Sequence, residues 1–127
     1  HVKYLSLDPA HVATFSEPIV TGLLRRTMGF GGVVFSDDLE MGAVANHTEI
    51  EKAACMSIRA GCDVVLVCRN RQAALRARAG LLAEASTSPS MRELVIAAAT
   101  RFVALRHRFG PQASASDSAQ EAFRFEP

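Results

Sequence analysis

The sequence has 127 residues, of which 49% are hydrophobic and 21% charged, and this composition indicates one globular domain. Its 14 Lys and Arg residues nearly balance 13 Asp and Glu residues, so neither nucleic acid nor an anionic membrane is an expected partner. No apolar stretch reaches the roughly 18 residues of a membrane span and no signal segment opens the sequence, so we expect a cytoplasmic protein.

The first elements are predicted to be a strand and a helix. Residues 1–7 are rich in β-forming residues and stop at Asp8-Pro9, which favours a short strand. Residues 16–29 have a capping Ser, an early Pro and apolar residues on one face, which predicts an amphipathic helix. Because the sequence starts with His1 and reads at once like the inside of a domain, we expect a fragment of a longer protein.

Two continuous apolar runs, at residues 31–36 and 62–68, are typical of strands buried on both faces. Between them, residues 49–60 have helical periodicity, with Thr48 as a plausible cap and Gly61 as the C-terminal stop.

Helical periodicity returns at residues 72–85 and continues in a final helix that starts near Pro89 and ends at Gly110-Pro111. Residues 112–127 are rich in Ser, Ala and Gln without periodicity, so we expect a flexible tail there.

Strands thus alternate with helices, which predicts an α/β fold with parallel strands and right-handed crossovers. About three βα units account for residues 1–111, which corresponds to a portion of a TIM-type (β/α)8 barrel. Such a portion leaves strand edges and an apolar face uncovered, so stability also argues for further chain before His1.

Two acids, Asp37 and Asp38, directly follow the apolar run 31–36. In parallel α/β folds, ligands meet the C-terminal ends of the strands, so these carboxylates lie where chemistry is done. Because successive side chains alternate in direction, we expect one to face the barrel mouth and the other to have a structural role. The alternative is that both cap a helix starting near Leu39.

The remaining candidates for chemistry have simpler interpretations. Three cysteines have neither disulfide nor metal-ligand spacing, and we expect buried reduced thiols: Cys55, Cys62 and Cys68. Three histidines also lack metal-ligand spacing and an acidic neighbour motif, and we expect surface residues: His11, His47 and His107. The sequence therefore predicts neither a metal site nor a cofactor.

The segment from Gly22 to Met41, GLLRRTMGFGGVVFSDDLEM, resembles the nucleophile segment of family 3 β-N-acetylhexosaminidases. That pattern has a Leu-Leu-Arg helix, a Gly-Phe-x-Gly-Val turn into a strand, then Ser or Thr, Asp, x, Leu, x, Met. The resemblance continues through His1-Val2, AGCDVVLV at 60–67 and Arg-Phe-Gly at 108–110, and it implies the C-terminal part of the catalytic barrel.

The resemblance implies retaining hydrolysis of terminal non-reducing β-N-acetylglucosamine, from muropeptides in peptidoglycan recycling in a bacterial cytoplasm. It assigns the nucleophile to Asp37, whose carboxylate would form a glycosyl ester. Met41 matches the family's Met and is a candidate sugar contact. His1, in the predicted barrel strand, is a second candidate. Glu40 is expected to face solvent or to cap.

The general acid that a retaining hydrolase needs has no convincing candidate in this sequence. The resemblance implies a His in an Asp-x-His loop as the acid, and Lys-His and Arg residues that bind the sugar, all before His1. The missing N-terminal part of the barrel is therefore an expected partner besides the carbohydrate, and the segment alone is expected to be inactive.

Three alternatives remain open at this point. A family 3 β-glucosidase or β-xylosidase usually has Trp after the nucleophile, whereas this sequence has no Trp. A receiver-like phosphoacceptor domain would use Asp37 and Asp38 with Mg²⁺ but needs a later strand ending in Lys, where this chain has Arg69. A non-catalytic barrel fragment would only present helices to a partner chain.

Overall fold

A computed structural model describes residues 1–110 of the chain, which form an α/β arrangement of two parallel strands packed among helices. The predicted tail at 112–127 lies outside the described residues, as does Pro111. In chain order the elements are a 3₁₀ turn Ala13–Phe15, a π-helix Pro18–Thr27, β1 Phe35–Asp38, α1 Gly42–Ala45, α2 Ile50–Ala60, β2 Val64–Leu66, α3 Arg71–Thr87 and α4 Pro89–Phe109.

The strand predicted at residues 1–7 is wrong. The amide groups of Leu7 and Asp8 both donate to the Tyr4 carbonyl at 2.9 Å, which closes a turn. The Val2 carbonyl accepts from the Ala13 amide at 2.8 Å instead of from another strand. β-Forming residues adopt a strand only where a neighbouring strand pairs with them, and the described residues provide none here.

The helix predicted at 16–29 is confirmed, but much of it has the wider turn of a π-helix. The Met28 amide donates to the Leu23 carbonyl, five residues back, at 2.9 Å. At its start, Ser16 Oγ accepts from the Ile19 amide at 3.2 Å. The helix contacts the end of α2, since Thr21 Oγ1 donates to the Ala60 carbonyl at 2.7 Å.

Both apolar runs form strands, although β1 and β2 are shorter than the predicted runs, and β1 extends beyond its run through Asp38. The two strands pair in parallel, as predicted from the alternation of strands and helices. The three later helices are also confirmed, including Pro89 in the first turn of α4. Within residues 1–110, no helix has both the length and the apolarity needed to cross a bilayer.

A side-chain cap and a glycine mark the ends of α2 and α3, partly as predicted. Gly61 ends α2 with φ 115°, and a Cβ at that position would collide with Thr21 Oγ1, so this close approach requires glycine. Asn70 caps α3, since its Oδ1 accepts from the amides of Gln72 and Ala73 at 2.8 and 3.3 Å. The cap predicted at Thr48 is wrong, because α2 starts after Glu49 without a side-chain cap.

The core lies between α2, α3 and β2 and consists mainly of small apolar side chains. Its main cluster contains Leu39, Val44, Ala53, Ala54 and Ala77. Cys55 and Cys62 are buried as predicted. Cys68 is exposed, so that prediction is wrong, because this residue follows the end of β2 at the open edge of the sheet.

A buried carboxylate, Asp63, joins three parts of the fold. Its Oδ2 accepts from Arg25 Nη2 of the π-helix at 2.6 Å and from the Val34 amide, just before β1, at 2.9 Å. Its Oδ1 accepts from Arg101 Nε of α4 at 2.7 Å. The Asp63 side chain is 0% exposed, so each hydrogen bond also compensates for lost hydration.

We expect Asp63→Asn to destabilise the complete protein by about 3–5 kcal/mol, because the substitution leaves two partly buried guanidinium groups without their counter-ion. Urea denaturation measures the change. Glu49→Gln is the matched control, since it removes a carboxylate bonded to Arg76 at 2.9 Å whose side chain is largely exposed. Equal unfolding midpoints for the two variants would contradict the role given to Asp63.

Candidate active site

A β-bulge in β1 determines where the first acid points. Phe35 pairs with Val64 and Asp38 with Leu66, so β1 has one residue more than β2 between the two pairs. Ser36 Oγ accepts from the Leu66 amide at 2.9 Å and donates to the Asp37 carbonyl at 2.8 Å. The Ser36 side chain thus replaces a backbone acceptor at the bulge. Bulges of this kind redirect a side chain at the end of a strand.

The Asp37 carboxylate is exposed near the C-terminal end of β1, with 49% of the side chain accessible. Its Oδ1 accepts from the Asp38 amide at 2.8 Å, and its Oδ2 from the α-amino nitrogen of His1 at 2.9 Å. These hydrogen bonds, the one from the amino group first, lower the pKa of Asp37. In a longer chain this nitrogen would be a peptide N–H without the charge of an amino group. An exposed, ionised carboxylate with its oxygens held by nitrogen donors is suited to nucleophilic attack.

Asp38 has a structural role, as expected for one acid of the pair. Its side chain is 17% exposed, and Oδ1 accepts from the amides of Glu40 and Cys68 at 3.1 and 3.3 Å. These bonds join the segment after β1 to the segment after β2. The alternative that both acids cap a helix near Leu39 is wrong, because α1 starts at Gly42 and its N-cap is Met41.

Glu40 and Arg69 form a second connection between the same two segments. Glu40 Oε2 accepts from the amides of Arg69 and Asn70 at 2.6 and 3.2 Å, while Arg69 Nη2 donates to the Glu40 carbonyl at 2.9 Å. Glu40 therefore binds backbone donors that precede α3, and it does not cap α1, the helix that follows it. Sequence analysis missed the pairing of Glu40 with Arg69. An acid after one parallel strand and a base after the next are the pattern that could have predicted it.

His1 lies beside the two acids, although it is not in a strand. Its Nε2 is 2.8 Å from the Asp38 carbonyl oxygen and its Nδ1 is 2.9 Å from Thr14 Oγ1. The ring also contacts Phe15, with 6.2 Å between the ring centroids. Both ring nitrogens are engaged within the chain, and the predicted sugar contact of His1 remains a prediction.

Met41 is 41% exposed and lies on the turn between Asp37 and α1. Its amide donates to the Asp38 carbonyl at 3.0 Å. This position leaves the side chain accessible near the acids, and its predicted contact with a sugar is untested.

A groove of about 490 Å³ lies beside Leu39 and Glu40, which directly follow β1. Its lining includes Glu40, Glu49, Arg69 and Arg76. The charged side chains at its rim are paired, Arg69 with Glu40 and Arg76 with Glu49. Arg76 also bonds to Glu51 at 2.6 Å. Asp37, the predicted nucleophile, is not part of its lining.

The histidine at position 11 has an acidic partner that sequence reasoning missed. His11 Nδ1 lies 3.2 Å from Asp8 Oδ2, and the amides of Ala10 and His11 donate to Asp8 Oδ1. The hydrogen bond from Ser16, followed by those from this loop, lowers the pKa of Asp8 to about 2. Within residues 1–110, no group of three or more His, Cys, Asp or Glu side chains is arranged to hold a metal ion.

We expect Ser36→Ala to destabilise the protein by about 1–3 kcal/mol, because it leaves the Leu66 amide without its acceptor. Amide exchange at Leu66 should accelerate beyond the change at neighbouring amides. Ser36→Thr retains the hydroxyl and is the control, with exchange close to that of the wild type. Unchanged protection of Leu66 in Ser36→Ala would show that the bulge does not depend on this side chain.

Comparison with known proteins relates this geometry to a family. Residues 1–105 match the glycosyl hydrolase family 3 N-terminal domain. The chain is 40% identical over 76 residues to a β-hexosaminidase of Idiomarina loihiensis, covering 60% of this chain and 23% of the relative. It is 47% identical over 68 residues to a β-hexosaminidase of Neisseria meningitidis serogroup C, covering 54% and 19%.

Solved structures agree. A family 3 β-N-acetylglucosaminidase from Paenibacillus sp. str. FPU-7 superposes with a TM-score of 0.79 at 30% identity, over 94% of this chain and 23% of that one. A β-N-acetylhexosaminidase from Beutenbergia cavernae gives a TM-score of 0.74 at 34% identity, over 82% and 31%. The matches decide against a receiver-like domain. The chain spans 19 to 31% of each of these relatives. The match over residues 1–105 shows that it belongs to glycosyl hydrolase family 3.

Proposed function

We propose that the protein containing this segment removes terminal non-reducing β-N-acetylglucosamine with retention of configuration, and that Asp37 is its nucleophile. The observation that carries the proposal is the Asp37 carboxylate, exposed at the end of β1 and held at both oxygens by nitrogen donors. Family membership and the β-hexosaminidases among its relatives support the reaction class.

In the proposed reaction, an Asp37 oxygen attacks the anomeric carbon while the bond to the leaving oxygen breaks. A general acid protonates that oxygen, and a glycosyl ester of Asp37 remains. Water then attacks the same carbon, gives its proton to the conjugate base of the acid and releases Asp37 as a carboxylate. Two inversions at one carbon retain the configuration.

The acid for this reaction is proposed to come from chain that precedes His1. Glu40 is bonded to the amides of Arg69 and Asn70, and both His1 ring nitrogens have partners, so neither is poised to protonate a leaving group. An Asp-x-His loop is the expected source. Loss of an acid typically costs about 100- to 10,000-fold, so the segment alone should be essentially inactive.

The rest of a (β/α)8 barrel is the proposed partner of this segment, which would form its C-terminal portion. The segment corresponds to 23% of the Paenibacillus structure. It also exposes large apolar side chains that a barrel would cover, among them Val2, Leu5 and Phe35. Packing of the remaining βα units against these side chains would remove apolar surface from water and complete the sheet around Asp37.

The proposed physiological substrates are muropeptides, turned over in the cytoplasm during peptidoglycan recycling. The support is the resemblance of the Gly22 to Met41 segment to β-N-acetylhexosaminidases. Assay of the complete protein with purified muropeptides tests this choice. A matched pair of 4-nitrophenyl β-glycosides, with 2-acetamido or 2-hydroxyl groups, separates hexosaminidase from β-glucosidase activity, and faster cleavage of the 2-hydroxyl glycoside would overturn the proposed sugar.

We expect Asp37→Gly in the complete protein to lower kcat by a factor on the order of 10⁴ to 10⁶, as for removal of other nucleophiles. Azide should restore turnover of an activated 4-nitrophenyl N-acetylglucosaminide and give the α-glycosyl azide, because the small anion attacks from the vacated position. Product analysis by NMR gives the anomeric configuration.

Asp38→Asn is the control for this experiment, since an amide oxygen retains an acceptor for the Glu40 and Cys68 amides. It should remain active without azide. Full activity of Asp37→Gly, or a requirement for azide in Asp38→Asn alone, would show that the nucleophile is assigned to the wrong residue.

A further inference from the structure

His1 makes two contacts with the nucleophile segment, one to the Asp37 side chain and one to the main chain of Asp38. Its ring Nε2 is 2.8 Å from the Asp38 carbonyl oxygen. Its main-chain nitrogen is 2.9 Å from Asp37 Oδ2. One residue, remote in sequence, therefore bonds both to the reactive carboxylate and to the backbone that follows it.

The hydrogen bonds define the tautomer of the His1 ring. A carbonyl oxygen only accepts, so Nε2 must carry a proton for the contact with Asp38. The Thr14 hydroxyl, which belongs to a buried residue, lies 2.9 Å from Nδ1 and can donate to it. The Nε2–H tautomer thus satisfies both partners without a charge on the ring, and it leaves no ring nitrogen for proton transfer.

The Asp38 carbonyl has both lone pairs occupied. It accepts from His1 Nε2 and, at 3.0 Å, from the Met41 amide. On the other side, Ser36 Oγ holds the Asp37 carbonyl at 2.8 Å. With the carbonyls before and after it fixed, the Asp38 amide points at Asp37 Oδ1, to which it donates at 2.8 Å.

We propose that His1 is a positioning residue of the hydrolase, which acts by fixing the Asp38 backbone so that the Asp37 carboxylate is held for attack. The inference rests on the proposed function of Asp37 and gives His1 a role distinct from direct contact with the sugar. Thr14 supports it by holding the ring tautomer. A misplacement of about 1 Å at a reacting group can cost about 100-fold in rate.

The test uses the complete protein with His1→Phe and His1→Gln. We expect His1→Phe to lower kcat by about 10- to 100-fold with little change in KM, because the substrate loses no contact. The acid limb of the kcat/KM profile should move to higher pH, because a poorly held Asp38 amide stabilises the ionised Asp37 less. His1→Gln has an amide N–H that can reach the Asp38 carbonyl, and it should recover part of kcat.

Thr14→Val and Thr14→Ser provide a second pair in case His1→Phe lowers the melting temperature. Valine removes the hydroxyl that bonds Nδ1, and we expect a loss of kcat and a shift of the acid limb in the same direction as for His1→Phe. Serine retains the hydroxyl and should behave as the wild type. Thr14→Val with wild-type kcat and an unmoved acid limb would overturn the role of the ring tautomer.

The outcomes separate this inference from the proposed function. A raised KM with unchanged kcat in His1→Phe would make His1 a sugar ligand and overturn the positioning role. Wild-type kinetics in His1→Phe, or no recovery in His1→Gln, would also overturn it while azide rescue of Asp37→Gly still succeeds. If azide rescue fails in a chain with intact His1, the proposed function itself is wrong.

Discussion

The rest of the structure depends on the ion pairs and hydrogen bonds of the buried Asp63 carboxylate. It neutralises Arg25 and Arg101, from the π-helix and α4, and it accepts from the Val34 amide. Since Val34 immediately precedes β1, the same carboxylate that joins the helices also fixes where β1 enters the sheet. The Asp63 and Val64 amides donate to the Val34 carbonyl in return. The ion pairs and hydrogen bonds of Asp63 therefore fix the point at which the two parallel strands begin to pair.

The site is a consequence of that register. Because the start of β1 is fixed, the bulge comprises Ser36 and Asp37, which lie opposite a single residue of β2. The Ser36 hydroxyl supplies the acceptor that the Leu66 amide would otherwise lack. The bulge directs Asp37 to the exposed edge, while Asp38 binds the segment after β2. Two adjacent acids thus have different roles, because the backbone between them is irregular.

Much of the fold follows from sequence signals that act locally. Gly61 and Pro89 mark helix ends through their own backbone preferences, and the apolar runs mark buried strands. Residues 1–7 were mispredicted because β-propensity requires a pairing partner, which is a tertiary property. The contacts of Ser36 and His1 depend on strand register and join residues 30 or more positions apart, as for Ser36 and Leu66 or for His1 and Asp38. Periodicity cannot reveal such contacts, whereas the acids at the end of β1 are recognisable by position and by resemblance.

The proposed covalent bond between Asp37 and the sugar can be tested by trapping the glycosyl ester. The complete protein would be incubated with a 5-fluoro N-acetylglucosaminyl fluoride, whose ring fluorine slows hydrolysis of the glycosyl ester, and digested for mass spectrometry. We expect one added sugar on the peptide that contains Asp37, located on that residue by fragmentation. A sugar on a different residue, or turnover with inverted configuration and no adduct, would contradict it.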